Sequence, residues 1–181
     1  MTVVVSPVTS FPARPWRNGR GMTREIAAGS GWRVSLADID VDGAFSTFPG
    51  LKRRLALASE GRLTLHGLSP DPVCLQVPGE IVRFDGEAAV SACCHGHAVQ
   101  AFNLMAEIGA QADLACHRDP FTLPSGVRFF LLPLSGSWRV EAGTRSIVPG
   151  AIATGQMAAQ PISVSLDGGP GCLVAAVLHA T

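Results

Sequence analysis

The chain has 181 residues, enough for one domain or a pair of half-domains. At 47% hydrophobic residues and a mean hydropathy of +0.29, it is excluded from the disordered class. Fourteen basic residues balance fourteen acidic ones, so there is no overall electrostatic footprint for nucleic acid or an anionic membrane. No apolar run approaches the roughly 18 residues of a membrane helix. The N-terminal MTVVVSPVTS has no basic segment before its apolar run, so the expected location is the cytoplasm.

Glycine (20) and proline (13) are frequent and leave little room for long helices. The dominant period is two. Trp32, Val34 and Leu36 alternate with Arg33, Ser35 and Ala37. Leu55 and Leu57 alternate with Arg54 and Ala56, and Leu63 and Leu65 with Arg62, Thr64 and His66. One helix is expected over residues 103–112, where Leu, Met, Ala, Glu and Gln cluster around Gly109. Strand alternation resumes at Val127, Phe129 and Leu131, then at Trp138 and Val140, and closes the chain at Cys172, Val174, Ala176 and Leu178. Short alternating runs bounded by Gly, Pro, Ser and Asp predict an all-β sandwich or barrel.

A weak internal repeat divides the chain. Residues 54–66 read as a hairpin with a glycine turn, followed by Val77-Pro78-Gly79. Residues 129–141 have the same form, followed by Val148-Pro149-Gly150. The expectation is two antiparallel, jelly-roll-like barrels packed as one unit, residues 1–105 and 106–181.

Charge is uneven. Between Arg14 and Arg54 stand eight basic and four acidic residues. Arg24, Arg33 and Arg54 fall in predicted strands, opposite the apolar face. A solvated outer face is one reading. The other is a barrel mouth lined by guanidinium groups, whose planar fork matches a carboxylate. The segment 15–27, PWRNGRGMTREIA, carries an Asn18-Gly19 turn signal and can gather Trp16, Asn18, Thr23 and Arg24. It is neither a phosphate loop nor a dinucleotide fingerprint.

Metal and nucleophile signatures are incomplete. His95-Gly96-His97 has an H-x-H metal-ligand spacing, but Ala101 and Phe102 stand where a glutamate ligand should follow. No metal and no other cofactor is expected. The five cysteines fit a reduced chain with buried thiols. Cys93 and Cys94 as nucleophiles would need a histidine on the same face, and strand neighbours point to opposite faces.

The segment 15–27 resembles the P-W-K-N-G-G-G-x-T-R-E-I block that opens the HutD/Ves family of bacterial cupin-type proteins. The resemblance continues through WRVSLADID (32–40), GAFSTFPG (43–50), RLALASEG (54–61), Phe84-Asp85-Gly86 and Phe102-Asn103-Leu104-Met105, in the same order. Arg20 and Lys52 depart from the family pattern, where glycine and an acidic residue are usual. The resemblance implies a bicupin associated with histidine utilisation that binds a small carboxylate such as formylglutamate or urocanate.

Three functions stay open at this point. The first is a non-enzymatic carboxylate-binding regulator, with ligand residues Trp16, Asn18, Thr23, Arg24, Arg33, Ser35, Arg54 and Asn103. Arginines would hold the carboxylate, and the amides and hydroxyls would orient it. The second is a small-molecule isomerase or hydrolase with Glu25 as base. The third is an interaction module whose sheet edges form a homodimer.

Overall fold

The computed structural model describes residues 2–16, 19–141, 145–156 and 159–179. Among these every extended run is antiparallel β, and the sole helical element is a 3₁₀ turn at Val8–Ser10. The chain divides into two compact units, Phe11–Gly109 and Met1–Ser10 with Ala110–Thr181.

The Phe11–Gly109 unit contains a six-stranded and a four-stranded sheet. In the larger one, Val99–Glu107 is central, paired on one side with Trp32–Ile39 and on the other with Leu51–Leu57. Gly21–Gly29 and Ala13–Pro15 extend one flank and Ile81–Asp85 the other. Leu55 and Leu57 from this sheet meet Leu63, Leu65, Leu75 and Ala92 from the smaller sheet in one buried cluster. Burying apolar side chains of this size contributes about 1.5–3 kcal/mol each, so this interior holds the two sheets face to face.

The second unit repeats the scheme. A five-stranded sheet carries Val4–Pro7, Ala151–Gln156, Val127–Ser135, Cys172–His179 and Ala112–His117 in that spatial order. A four-stranded sheet faces it across a core of Phe129, Leu131, Trp138, Val140, Ile147 and Val164. The first ten residues belong here, because Val4–Pro7 pairs with Ala151–Gln156.

Both V-P-G segments form the same turn. Glu80 N donates to Val77 O at 3.0 Å and Ala151 N to Val148 O at 3.1 Å. Gly79 and Gly150 take φ of 94° and 89°, the left-handed conformation that a type II turn needs after proline. Each turn leads directly into a strand of a larger sheet.

Two expectations are corrected. Residues 103–112 are not helical: Asn103 lies inside the central strand Val99–Glu107, and Ala112 opens the strand Ala112–His117. A strand bonded on both edges and buried along most of its length overrides the local helix preference of Leu, Met and Ala. The two strand–glycine–strand repeats are not hairpins either. Leu51–Leu57 lies in the six-stranded sheet and Leu63–His66 in the four-stranded one. Val127–Ser135 and Trp138–Val140 are likewise divided between sheets. Each Gly-containing turn is a corner that carries the chain from one sheet to the other.

Gly86 fixes the segment entering Leu51–Leu57. Its carbonyl accepts from Phe48 N at 2.6 Å and its N–H donates to Leu51 O at 2.7 Å. A Cβ there would lie 2.3 Å from Phe48 O and 2.7 Å from Leu51 O, so backbone must move. Gly86→Ala is therefore expected to lower stability by about 1–3 kcal/mol, the scale of overpacking, in a urea titration. An unchanged midpoint would show that this crossing is not rigid.

Candidate functional site

The large sheet of the Phe11–Gly109 unit builds one face from two transverse rows. Register places Glu25 opposite Ser35, Ser35 opposite Asn103, and Asn103 opposite Leu55. The next row is Arg33, Met105, Arg53 and Phe84. Directly opposed residues share a face. Ser35, Asn103, Arg33 and Arg53 accordingly all line one cavity of about 490 Å³, a volume in the range of small-molecule sites.

The other wall comes from Trp16 and the segment Phe45 to Phe48. Phe45 N donates to Val90 O at 2.9 Å. Trp16 Nε1 donates to Thr23 Oγ1 at 2.6 Å, and its ring meets Phe45 edge-on with centroids 5.9 Å apart. The indole therefore has its polar end satisfied and its apolar body turned to the cavity wall.

Arg53 is the unusual group. It is only 6% exposed. Its guanidinium carbon lies 5.2, 5.4 and 4.9 Å from the ring centres of Phe45, Phe48 and Phe84. Nη1 donates to Ser46 O at 3.2 Å and Nη2 to Asn103 Oδ1 at 3.4 Å. Asn103 is itself held, donating Nδ2 to Ala101 O at 3.0 Å. Arg53 Nε has no hydrogen-bond partner, and among the described residues no carboxylate pairs with Arg53. Burial, and then the like charge of Arg33, push Arg53 down to about 10, so it stays cationic at neutral pH. Arg33 differs: its Nε lies 3.0 Å from Glu25 Oε2 in a partly exposed ion pair.

The candidate residues divide accordingly. Trp16, Thr23, Arg33, Ser35 and Asn103 come together at the cavity. Arg24 and Arg54 do not. Arg24 stands opposite Leu36 in the register, and its Nη1 donates to Phe11 O at 3.0 Å. Arg54 stands opposite Leu104 and Arg83, one position out of phase with the cavity rows. Asn18 lies outside the described residues. Arg53 and Arg14 line the cavity and were not singled out in the sequence. The signal for Arg53 was present, because it is in phase with the buried Leu55 and Leu57.

The cysteine and histidine candidates serve local structure. Asp42 Oδ1 accepts from Cys94 N at 2.7 Å, and Oδ2 accepts from Cys93 Sγ at 3.0 Å. The Asp42 carboxylate raises the Cys93 thiol by this bond, while Cys94 is raised by burial and then by Asp42. Neither is disposed to act as a thiolate nucleophile. His95 Nε2 is 2.8 Å from Thr64 Oγ1. Among the described residues no three His, Cys, Asp or Glu side chains are grouped to hold a metal ion.

The HutD family model matches residues 8–164. The chain belongs to the HutD family. A 21.2 kDa protein from the hutC 3′ region of Pseudomonas putida is 39% identical over 104 residues, covering 52% of this chain and 53% of that protein. Protein Ves of Escherichia fergusonii is 28% identical over 141 residues, covering 74% and 73%. The aligned part thus spans about half the length of the Pseudomonas putida relative.

Among solved structures, a conserved protein of unknown function from Pseudomonas aeruginosa PAO1 superposes with a TM-score of 0.84 at 21% identity, covering 99% of this chain and all of that one. HutD from Pseudomonas fluorescens SBW25 gives 0.81 at 22%, with the same coverage. A cupin 2 conserved barrel protein from Leptotrichia buccalis gives 0.63 at 9%, covering 97% and 96%. HutD membership and the cupin-like β fold are thereby both established.

Asn103 is the polar link between the central strand and Arg53. Asn103→Ala is expected to cost about 1–3 kcal/mol in a urea titration, because it strands a buried donor of Arg53 as well as removing a bond. A cost below about 0.5 kcal/mol would mean that Arg53 does not depend on it.

Proposed function

We propose that this chain is a non-enzymatic bicupin that binds a small carboxylate metabolite in the cavity of the Phe11–Gly109 unit and regulates a catabolic route by doing so. The two units, each of two facing sheets, are read as its two barrels. The observation that carries the binding role is Arg53: a buried cation, facing a cavity, with no carboxylate of its own among the described residues. An isolated buried charge is costly, and a carboxylate ligand would relieve that cost through charge-assisted bonds.

Arg33 would be the second cationic contact, Ser35 and Asn103 the orienting groups, and Trp16 the apolar wall. Glu25 is engaged by Arg33 and does not line the cavity, which favours binding over Glu25-based catalysis. The position of the Pseudomonas putida relative in the hutC 3′ region supports histidine breakdown as the route. The Pseudomonas fluorescens HutD structure in a formate condition makes formate a sensible first probe. Five free thiols suit a reducing, cytoplasmic setting.

Calorimetric titration with formate, formylglutamate and urocanate tests this. Wild type is expected to bind at least one. Arg53→Met is expected to weaken that ligand by roughly ten- to a hundredfold, since a charged hydrogen bond contributes about 1.5–3 kcal/mol and a decade in affinity is about 1.4 kcal/mol. The unliganded variant should melt no lower than wild type, because a buried charge has been replaced by an apolar side chain of similar reach. Arg24→Ala should bind as wild type does. Equal binding by Arg53→Met would overturn the assignment of the anchor.

A further inference from the structure

The unit formed by Met1–Ser10 and Ala110–Thr181 contains a pair of thiols that the cavity does not use. Cys116 lies on Ala112–His117 and Cys172 opens Cys172–His179, its neighbour in the sheet. Register puts Cys116 opposite Val174, so Cys116 and Cys172 are diagonal neighbours on one face. Their sulfurs are 3.2 Å apart. Closure to the roughly 2.05 Å of a disulfide needs a sulfur movement of about 1 Å. Cys116 is partly accessible and Cys172 is buried.

We infer that Cys116 and Cys172 are a peroxide-sensitive dithiol that closes to a reversible disulfide, joining the Ala112–His117 and Cys172–His179 strands. The two sulfurs are unequal. The hydrogen bond from Cys172 and the charge of Arg118 bring Cys116 down to about 7 against the opposing effect of burial, and the same hydrogen bond with burial raises Cys172. Cys116 is thus the thiolate that reacts first, and Cys172 the partner that resolves it.

The chemistry balances with a hydroperoxide as oxidant. The Cys116 thiol first gives its proton to solvent. The thiolate then attacks one peroxide oxygen, the S–O bond forms and the O–O bond breaks. The hydroxide that leaves (for hydrogen peroxide) takes up a proton from solvent to become water. The Cys172 sulfur then attacks the sulfenic sulfur. The S–S bond forms, the S–O bond breaks, and the Cys172 proton leaves with the hydroxyl as water. Two thiols are oxidised and one peroxide is reduced to two waters. The other three cysteines lack this arrangement: Cys93 and Cys94 both donate to Asp42, and Cys74 accepts from Arg62 Nε at 3.1 Å.

The test uses the full chain, reduced and then treated with one equivalent of hydrogen peroxide. Remaining thiols are alkylated after denaturation, and the protein is mapped by mass spectrometry without reduction. Two of the five cysteines should escape alkylation, linked as a Cys116–Cys172 peptide. The link should disappear on treatment with dithiothreitol. Cys116→Ser and Cys172→Ser should each abolish it, and Cys93→Ser should not. Oxidised wild type should melt several degrees higher than reduced, because the cross-link restricts the unfolded chain. The wild-type map alone can overturn the inference, whatever the folding of the variants. Full alkylation of both residues, irreversible over-oxidation of Cys116 with Cys172 still free, or a link between other cysteines would each do so.

Discussion

A guanidinium removed from water, with no carboxylate partner among the described residues, is the constraint on which the cavity of the Phe11–Gly109 unit depends. Arg53 lies among three phenylalanine rings, each close enough for a cation–π contact. Such contacts contribute about 0.5–2 kcal/mol apiece, against a desolvation cost of several kcal/mol for a buried ion. Two hydrogen bonds at 3.2 and 3.4 Å are long and complete only part of its donor capacity. What the protein supplies is a held but incompletely satisfied cation among the residues that line the cavity.

The rest of the site follows from holding that group in place. Phe45 and Phe48 are set by backbone bonds to Val90 and Gly86, so two of the three rings stand on fixed main chain. Phe84 comes from Ile81–Asp85, directly opposite Arg53 in the register. Asn103 is on the central strand, bonded to its own chain at Ala101, and reaches Arg53 across the sheet. The neighbouring Arg33 is balanced by Glu25, which limits repulsion between the two guanidiniums without quenching Arg53. One arginine is thus paired, and the other has no carboxylate partner among the described residues.

How much of this could be read from the residues depended on the period. Trp32, Leu55, Leu63, Val127, Trp138 and Cys172 all begin or lie in strands as their alternation implied. Ser35 and Asn103 reach the cavity because register, fixed by that alternation, carries them to one face. Arg24 and Arg54 were expected on strand positions opposite the apolar face, and the register puts each of them one position out of phase with the cavity rows. Arg53 obeyed the same rule in the opposite sense, in phase with Leu55 and Leu57, but its charge disguised it as a surface residue. Residues 103–112 misled because their helix-forming side chains belong to a strand bonded on both edges. The corners at the glycine turns misled because nothing local tells a hairpin from a change of sheet.

Where a carboxylate sits when it is bound decides the role of Arg53. A crystal structure of the protein with formate measures this directly. Formate is expected in the cavity with its oxygens within hydrogen-bond distance of the Arg53 guanidinium, beside Asn103, Ser35 and the Trp16 ring. Formate found only at Arg24 or at the Arg54–Arg83 surface, with the cavity at Arg53 filled by water alone, would contradict it.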